Sequence, residues 1–197
     1  MSQASSDSIG LFHPNPTDYF KGFVSGFSST ASLVVDQNGS TVTAAGDSKG
    51  IGDSVDLALL IALRRQSELV LTSGLTFRQE VYKMPKNADL AVFSRNPVDF
   101  SGLDIPEGAN SFWIGPEKAI GYLQALDVCR SLGYKAVHIE FGEQGISELY
   151  SQRRIDALFI SSVHSDGLER FFARMGYSPL VRTQISGLSI GLVAWQQ

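Results

Sequence analysis

The sequence predicts an α/β domain whose mostly parallel central sheet is flanked by helices and carries a C-terminal antiparallel hairpin. Three observations point there. Short apolar runs such as ELVLTS, ADLAVFS, KAVHIEFG and DALFISSVH alternate with longer segments of helical periodicity. Alternation of this kind is the mark of crossover connections, which make neighbouring strands parallel. The tail SPLVRTQISGLSIGLVAW instead holds two apolar stretches around Ser186-Gly187, a turn that suits a hairpin. With 197 residues, 43% of them hydrophobic and 18% charged, the chain suits one folded domain with a full core.

Residues 1–20, rich in Ser, Asp and Pro, read as a loose lead-in or surface arm, and a single domain then spans 21–197. SSTASLVVDQNGS is a strand carrying Leu33, Val34 and Val35 that runs into an Asn38-Gly39 turn. TVTAAGDSKGIGDS reads as a short strand and a Gly-rich loop, with Asp53 or Ser54 capping the next helix. In that helix, DLALLIALRRQ, the residues Leu57, Leu60, Ile61 and Leu63 fit a buried face. The strands ELVLTS, ADLAVFS and SFWIG follow, then the helix EKAIGYLQALDVCRSLG. KAVHIEFG is a strand, EQGISELYSQRR a helix and DALFISSVH a strand. No repeat or inter-domain linker interrupts the series.

Several function classes are disfavoured. A net charge of −4 without a local Lys/Arg cluster gives no footprint for nucleic acid. The lone Cys129, on a helical pattern, excludes an internal disulfide or a multi-cysteine zinc site and reads as a core thiol. His13, His138 and His164 are scattered without metal-ligand spacing, so no metal is expected, and the neighbours His164, Ser165 and Asp166 do not make a triad. The first residues lack a basic stretch followed by an apolar one, and no apolar run approaches the ~20 residues of a membrane span. A cytoplasmic protein without a membrane partner is the expectation. No G-x-G-x-x-G, P-loop or G-x-S-x-G is present, since GDSKGIG at 46–52 has the wrong spacing.

What remains are strand ends, where open α/β sheets bind ligands and helix N-termini attract anions. TSGLT follows one strand: Gly74 lets a ligand approach the backbone and Thr76 offers a hydroxyl, although Thr is also an ordinary helix cap. HIEFGEQGIS follows another, with His138 and Glu140 on one face and Gly142 and Gly145 leading into a helix. Glu140 there reads equally as a ligand-holding carboxylate or a surface charge.

From Val34 to Glu80 the pieces DQNG, GDSKGI, LRR, LTSGLT and RQEV occur in order. They resemble the reductase domain of riboflavin biosynthesis, of dihydrofolate-reductase-like fold, whose pattern runs S-L-D-G, G-x-S-x-W-I, L-R-A and an apolar strand ending T-S/G-x-x-T. VHIEFGEQGISELYSQRRIDALFISSV resembles that family's later V-x-x-E-G-G segment. Thr76, Arg78, Glu80 and Tyr82 match the T-x-R-x-E-x-Y of its pyrimidine reductase-like branch, and AVFSRN echoes that branch's V-V-S-R-S. The resemblance implies hydride transfer from NADPH to a ribosylamino-pyrimidine or a related pterin- or deazaflavin-like heterocycle, in a homodimer. It implies substrate contacts at Ser48, Arg64, Arg78 and Glu140, with Arg65 competing with Arg64 for the inward position. For the cofactor it implies Val34, Gly50, Gly74, Thr76, Glu80, Ser94 and Arg95, with Gly142 and Gly145 at the pyrophosphate. Arg95 is the candidate for the 2′-phosphate. The proton donor stays unassigned.

Four departures bear on that expectation. Asn38 stands for the family's Asp and Gly50 for its Trp. Phe141 lacks a glycine's freedom to take positive φ. Glu143 brings a carboxylate to the helix end meant for a pyrophosphate, where it stabilises an empty helix and repels the cofactor. The alternative to a live reductase is a degenerate, non-catalytic paralogue that binds a small ligand or a protein partner.

Overall fold

In the computed structural model, which describes residues 16–80 and 82–195, the alternating pattern becomes one eight-stranded sheet. Helix α1 (Pro16–Phe23) leads to β1 (Ser29–Val34), α2 (Ser54–Arg65), β2 (Leu69–Ser73) and α3 (Gly74–Gln79). Strands β3 (Asp89–Phe93) and β4 (Ser111–Ile114) precede α4 (Tyr122–Ser131), β5 (Val137–Glu140) and α5 (Glu143–Ser151). The chain ends with β6 (Ala157–Ser162), α6 (Ser165–Met175), β7 (Val181–Ile185) and β8 (Leu188–Ala194). The order across the sheet is β4-β3-β2-β5-β1-β6-β8-β7. Pairs among β1 to β6 are parallel, while β8 lies antiparallel on β6 and β7 antiparallel on β8. The hairpin turns at Ser186 and Gly187, with φ of 49° and 89°, the positive pair that matches strand twist.

Strand alternation sorts the side chains into two faces. On one, Ala31 and Leu33, Leu69 and Leu71, Val137 and Ile139, and Leu158 and Ile160 pack under α4, α5 and α6 in a single core. Cys129 belongs to it, and burial pushes its thiol up to about 12. The other face is divided. Phe159, Leu188 and Ile190 meet α1 and α2, whereas Val70, Leu90 and Val92 meet Phe77 and Tyr82. Each large apolar side chain so buried contributes ~1.5–3 kcal/mol. Between the two clusters run the central strands β1 and β5, and there this face is polar: Thr30, Ser32, His138 and Glu140.

Several elements differ from the expectation. Residues 41–50 form no strand; Thr43 and Asp47 bond to each other through backbone (2.7 Å) and side chain (2.8 Å), and this local pairing replaces a ladder. The helix expected from Glu117 starts at Tyr122, because the Gln124 side chain accepts from the Ile120 N–H at 2.8 Å and ends the preceding turn. Helix α6 was not anticipated, although Leu168, Phe171 and Phe172 have helical spacing and Gly176, at φ 65°, closes it. Gly167 lets α6 sit against the backbone of Asp36 and Gln37, where a Cβ would strike the Asp36 carbonyl. Residues 16–20 of the expected lead-in belong to α1, whose Phe20 is fully buried; residues 1–15, His13 among them, lie outside the described residues.

Helix α2 shows the largest difference. Asp53 caps it, accepting from the N–H groups of Val55 and Asp56. Its buried face is Ala58, Leu59, Ala62 and Leu63, while Leu57 remains 54% exposed and Leu60 and Ile61 are only half-buried. Apolar residues surround this helix, so periodicity could not distinguish its covered side from its open one.

Candidate functional site

Strand β5 is inserted between β1 and β2, so the connection leaving β2 runs outward to β3 while the one leaving β5 runs the opposite way, past β1 to β6. Such a switch point leaves a crevice at the carboxyl ends of the strands. Here it is a cleft of about 2000 Å³ lined by the ends of β1, β2, β3 and β5, the open side of α2 and the start of α5. Val34, Ser48, Arg64, Gly74, Thr76, Arg78, Glu80, Ser94, Arg95, Glu140, Gly142 and Gly145 all line it. Gly50 does not: it sits exposed in the loop at φ 77°.

At the inner end the polar seam converges on Glu140. Its carboxylate takes two bonds from Arg64, Nε at 2.6 Å and Nη2 at 2.8 Å, and a third from the Tyr82 hydroxyl. Arg64, not Arg65, therefore turns inward, and its guanidinium lies 4.9 Å from the centre of the Tyr82 ring. Burial pushes the Glu140 carboxyl up, but the charge and hydrogen bonds of Arg64 outweigh it and hold the group below its ordinary 4.5. For Tyr82, burial and then the Glu140 charge push the phenol up, so it donates as a neutral hydroxyl.

His138 is buried beside this pair, with Nδ1 2.9 Å from Thr30 Oγ1 and Nε2 3.3 Å from Ser32 Oγ. Burial lowers its pKa from 6.5 to about 4, against the pull of Glu140. The unfolded chain therefore takes up a proton near pH 6.5, whereas the folded chain resists until about 4. The stability that a neutral His138 confers is complete above pH 6.5 and lost as pH falls toward 4, amounting to roughly 3 kcal/mol at most. Urea unfolding at stepped pH should show this decline, and His138→Gln should flatten it. A wild-type midpoint that does not move between pH 6.5 and 5 would contradict a neutral, buried imidazole.

Asp56, which the sequence reading passed over, also faces the cleft. It looks like one more first-turn acid favoured by the helix dipole. In the fold its carboxyl is bonded to Ser161 Oγ at 2.5 Å, and burial raises its pKa despite that bond. It is a carboxyl that keeps its proton to higher pH than an ordinary aspartate.

The loop between β1 and α2 is tied across the cleft at two points. Glu80 accepts from the Ser48 hydroxyl at 2.7 Å and from its N–H at 3.2 Å, joining two residues that the resemblance assigned to different ligands. Thr41 donates to Glu143 at 3.2 Å. Glu143 is drawn aside by Arg174 of α6, at 2.5 and 2.8 Å, whose hydrogen bonds lower its pKa. Arg174 carried no sequence signal, since its partner lies 31 residues away. The expected repulsion is thus offset by a local cation. Phe141 likewise needs no glycine: it has no positive φ and packs against Tyr122, ring centres 4.8 Å apart.

On the β2–β3 side, Ser73 rather than Thr76 caps α3, accepting from the Thr76 N–H at 3.1 Å. Gly74 admits Ser94, whose side chain a Cβ would strike, and the Arg78 guanidinium lies beside it. Arg78 thus groups with Gly74 and Ser94, whereas Arg64 is committed to Glu140. Among the described residues neither Arg78 nor Arg95 has an ion-pair or hydrogen-bond partner. At α5 the cap is Gly142, with no side-chain bond to the first-turn N–H groups and nothing within 4 Å of an added Cβ. Gly145, by contrast, is a packing residue: its Cβ would lie 2.9 Å from Tyr122. An open helix N-terminus, a neutralised Glu143 and two unpaired arginines fit a phosphorylated dinucleotide.

Sheet order, cleft and terminal hairpin define a dihydrofolate-reductase-like domain. No protein-family model matches the chain, and no curated protein matches it in sequence. Solved structures share its fold, among them a pyrimidine reductase-like protein from Corynebacterium diphtheriae, the branch the motifs resemble. That structure aligns with a TM-score of 0.67 at 16% identity, over 90% of this chain and 98% of its own. The riboflavin biosynthesis reductase of Saccharomyces cerevisiae aligns at 0.59 with 10% identity, covering 84% and 88% respectively. A dihydrofolate reductase from Enterococcus faecalis, complexed with NADP(H), reaches 0.50 at 13% identity, over 85% and 96%. At such identities the likeness is one of fold. Among the described residues no helix is long and apolar enough to cross a membrane.

Proposed function

We propose that this protein is an NADPH-dependent reductase acting on a heterocyclic substrate, of the kind that reduces a ribosylamino-pyrimidine in riboflavin biosynthesis. One observation carries the reading: a single cleft joins an anion-accepting side, with the open α5 N-terminus and unpaired Arg78 and Arg95, to the Asp56 carboxyl, whose pKa burial raises. NADPH held at Gly142, Thr76 and Arg95 would supply the hydride. Arg95 pairs with a 2′-phosphate, which favours NADPH over NADH. Asp56, whose pKa burial raises, is the carboxyl on the cleft wall that would pass a proton to the reduced atom. Arg64, Glu140 and Tyr82 brace the inner end of the cleft. The exposed Leu180 and Val181 at the hairpin edge support a homodimer, for which light scattering should give twice the chain mass.

Titration of the purified protein with NADPH and NADH at equal concentrations tests the reading. NADPH should bind about tenfold tighter or more, and Arg95→Ala should remove most of the difference. Absence of binding by either nucleotide would overturn it and leave a non-catalytic protein that binds a small ligand or a partner.

A further inference from the structure

Arg174 stands in the last turn of α6, where a cation suits the helix dipole and needs no other partner. Its guanidinium nevertheless reaches across to the first turn of α5. Nη1 and Nη2 donate to the two Glu143 oxygens at 2.5 and 2.8 Å, and Nη2 also donates to the Gly39 carbonyl at 3.0 Å. Thr41 donates to the same carboxylate from the loop side, at 3.2 Å. Gly39, at φ 76°, seats this loop on α6, since a Cβ there would come 2.8 Å from the Phe171 nitrogen. Glu143 and Thr41 line the cleft, whereas Arg174 stands behind them and does not. With 46% of the Arg174 side chain and 26% of the Glu143 side chain exposed, the pair adds little to folding. Its larger effect falls on the neighbouring helix end. A carboxylate in the first turn of a helix commonly turns back toward its own N–H groups. Among the described residues Glu143 makes its side-chain bonds to Thr41 and Arg174 instead, and Gly142 leaves the α5 N-terminus without a side-chain cap.

We propose that Arg174 is a positioning residue for the cofactor: acting through Glu143, it holds that carboxylate sideways and cancels its charge, which keeps the α5 N-terminus open to the phosphates of NADPH. The inference deepens the reductase reading and rests on it for the identity of the anion. Without Arg174, Glu143 would be an unpaired negative charge within a turn of the bound phosphates, free to swing over the first-turn N–H groups and occupy them itself. Both effects oppose a phosphate group. Salt screens charges over ~8 Å, so a cation in contact with the carboxylate offsets it where a distant one does not. Arg174 is the cation paired with Glu143. The pair thus accounts for a carboxylate at the helix end where the resemblance expects a pyrophosphate.

The test titrates NADPH into the full chain as wild type, Arg174→Met, Glu143→Gln and the double variant, with circular dichroism to check folding. Arg174→Met should weaken NADPH by about tenfold or more, because it leaves an unpaired charge facing the phosphates. Adding Glu143→Gln should return the affinity to within about threefold of the wild type, and Glu143→Gln alone should bind no more weakly than the wild type. Arg174→Lys, which keeps the charge, should also stay within about threefold. A merely structural Arg174 gives another pattern, with the double variant as weak as Arg174→Met. Should Arg174→Met not fold, Thr41→Val carries the test by loosening the same carboxylate from the loop side, with a loss of about threefold that Glu143→Gln reverses. The proposal fails if Glu143→Gln does not restore binding, or if the variant that carries the test binds NADPH as the wild type does. NADPH bound with the expected pattern but never oxidised by a heterocycle removes the reductase and leaves the role of Arg174 standing. No binding of NADPH by any of these proteins overturns both.

Discussion

Replacing Glu140 with alanine is expected to destabilise the fold by about 3–5 kcal/mol, the usual effect of removing one partner from a buried ion pair. Arg64 has 18% of its side chain exposed and Glu140 9%, so neither charge finds adequate water once the other is gone. The substitution also strips the buried Tyr82 hydroxyl of its acceptor, which adds an unsatisfied polar group. For a chain of this length the thermal midpoint should fall by roughly 10 °C or more. A double variant, Arg64→Leu with Glu140→Leu, should recover much of the loss, since well-packed apolar residues often replace a buried pair at little cost. Circular dichroism during thermal and urea unfolding measures both. A loss under about 1 kcal/mol for Glu140→Ala, the value of a solvated pair, would mean that the inner end of the cleft is open to water.

Asp56→Asn should leave the fold and NADPH affinity close to wild type and slow the reductive half of the reaction about 10²- to 10⁴-fold, the range for loss of a positioned acid. Asparagine keeps the size of the side chain and its bond to Ser161 but has no proton to give. Because burial raises the Asp56 pKa, the wild-type rate should hold to higher pH than an ordinary aspartic acid permits and then fall as the carboxyl ionises. The sign is that of an acid needed in its protonated form. In the variant that alkaline fall should disappear, a change that a merely structural role would not produce. Single-turnover oxidation of bound NADPH, followed at stepped pH, separates the two. An unchanged pH profile with a modest rate loss would move the proton donor elsewhere, Ser32 being the next hydroxyl on the cleft wall.

Local signals made most of the fold legible. Short apolar runs became β1, β2, β3, β5 and β6, and the Ser186-Gly187 pair turned the hairpin as its positive φ values require. Helix α6 was missed although Leu168, Phe171 and Phe172 carried the periodicity. Where the reading depended on which side of a helix meets the core, it failed: Leu57, Leu60 and Ile61 were as apolar as their buried neighbours. The glycine argument at Phe141 failed differently. It assumed a backbone demand that disappears when Tyr122 and Phe93 supply an aromatic pocket.

By itself the sequence determined the alternation of strands and helices, the two strand-end turns and the resemblance to a reductase family, all set by residues within a few positions of one another. Only the tertiary structure decided what those turns contain. Arg64 reaches Glu140 across 76 positions, Asp56 reaches Ser161 across 105, and Arg174 neutralises Glu143 across 31. Insertion of β5 between β1 and β2 brings such groups together, and a charge is buried, paired or protonated according to neighbours that chain order does not reveal.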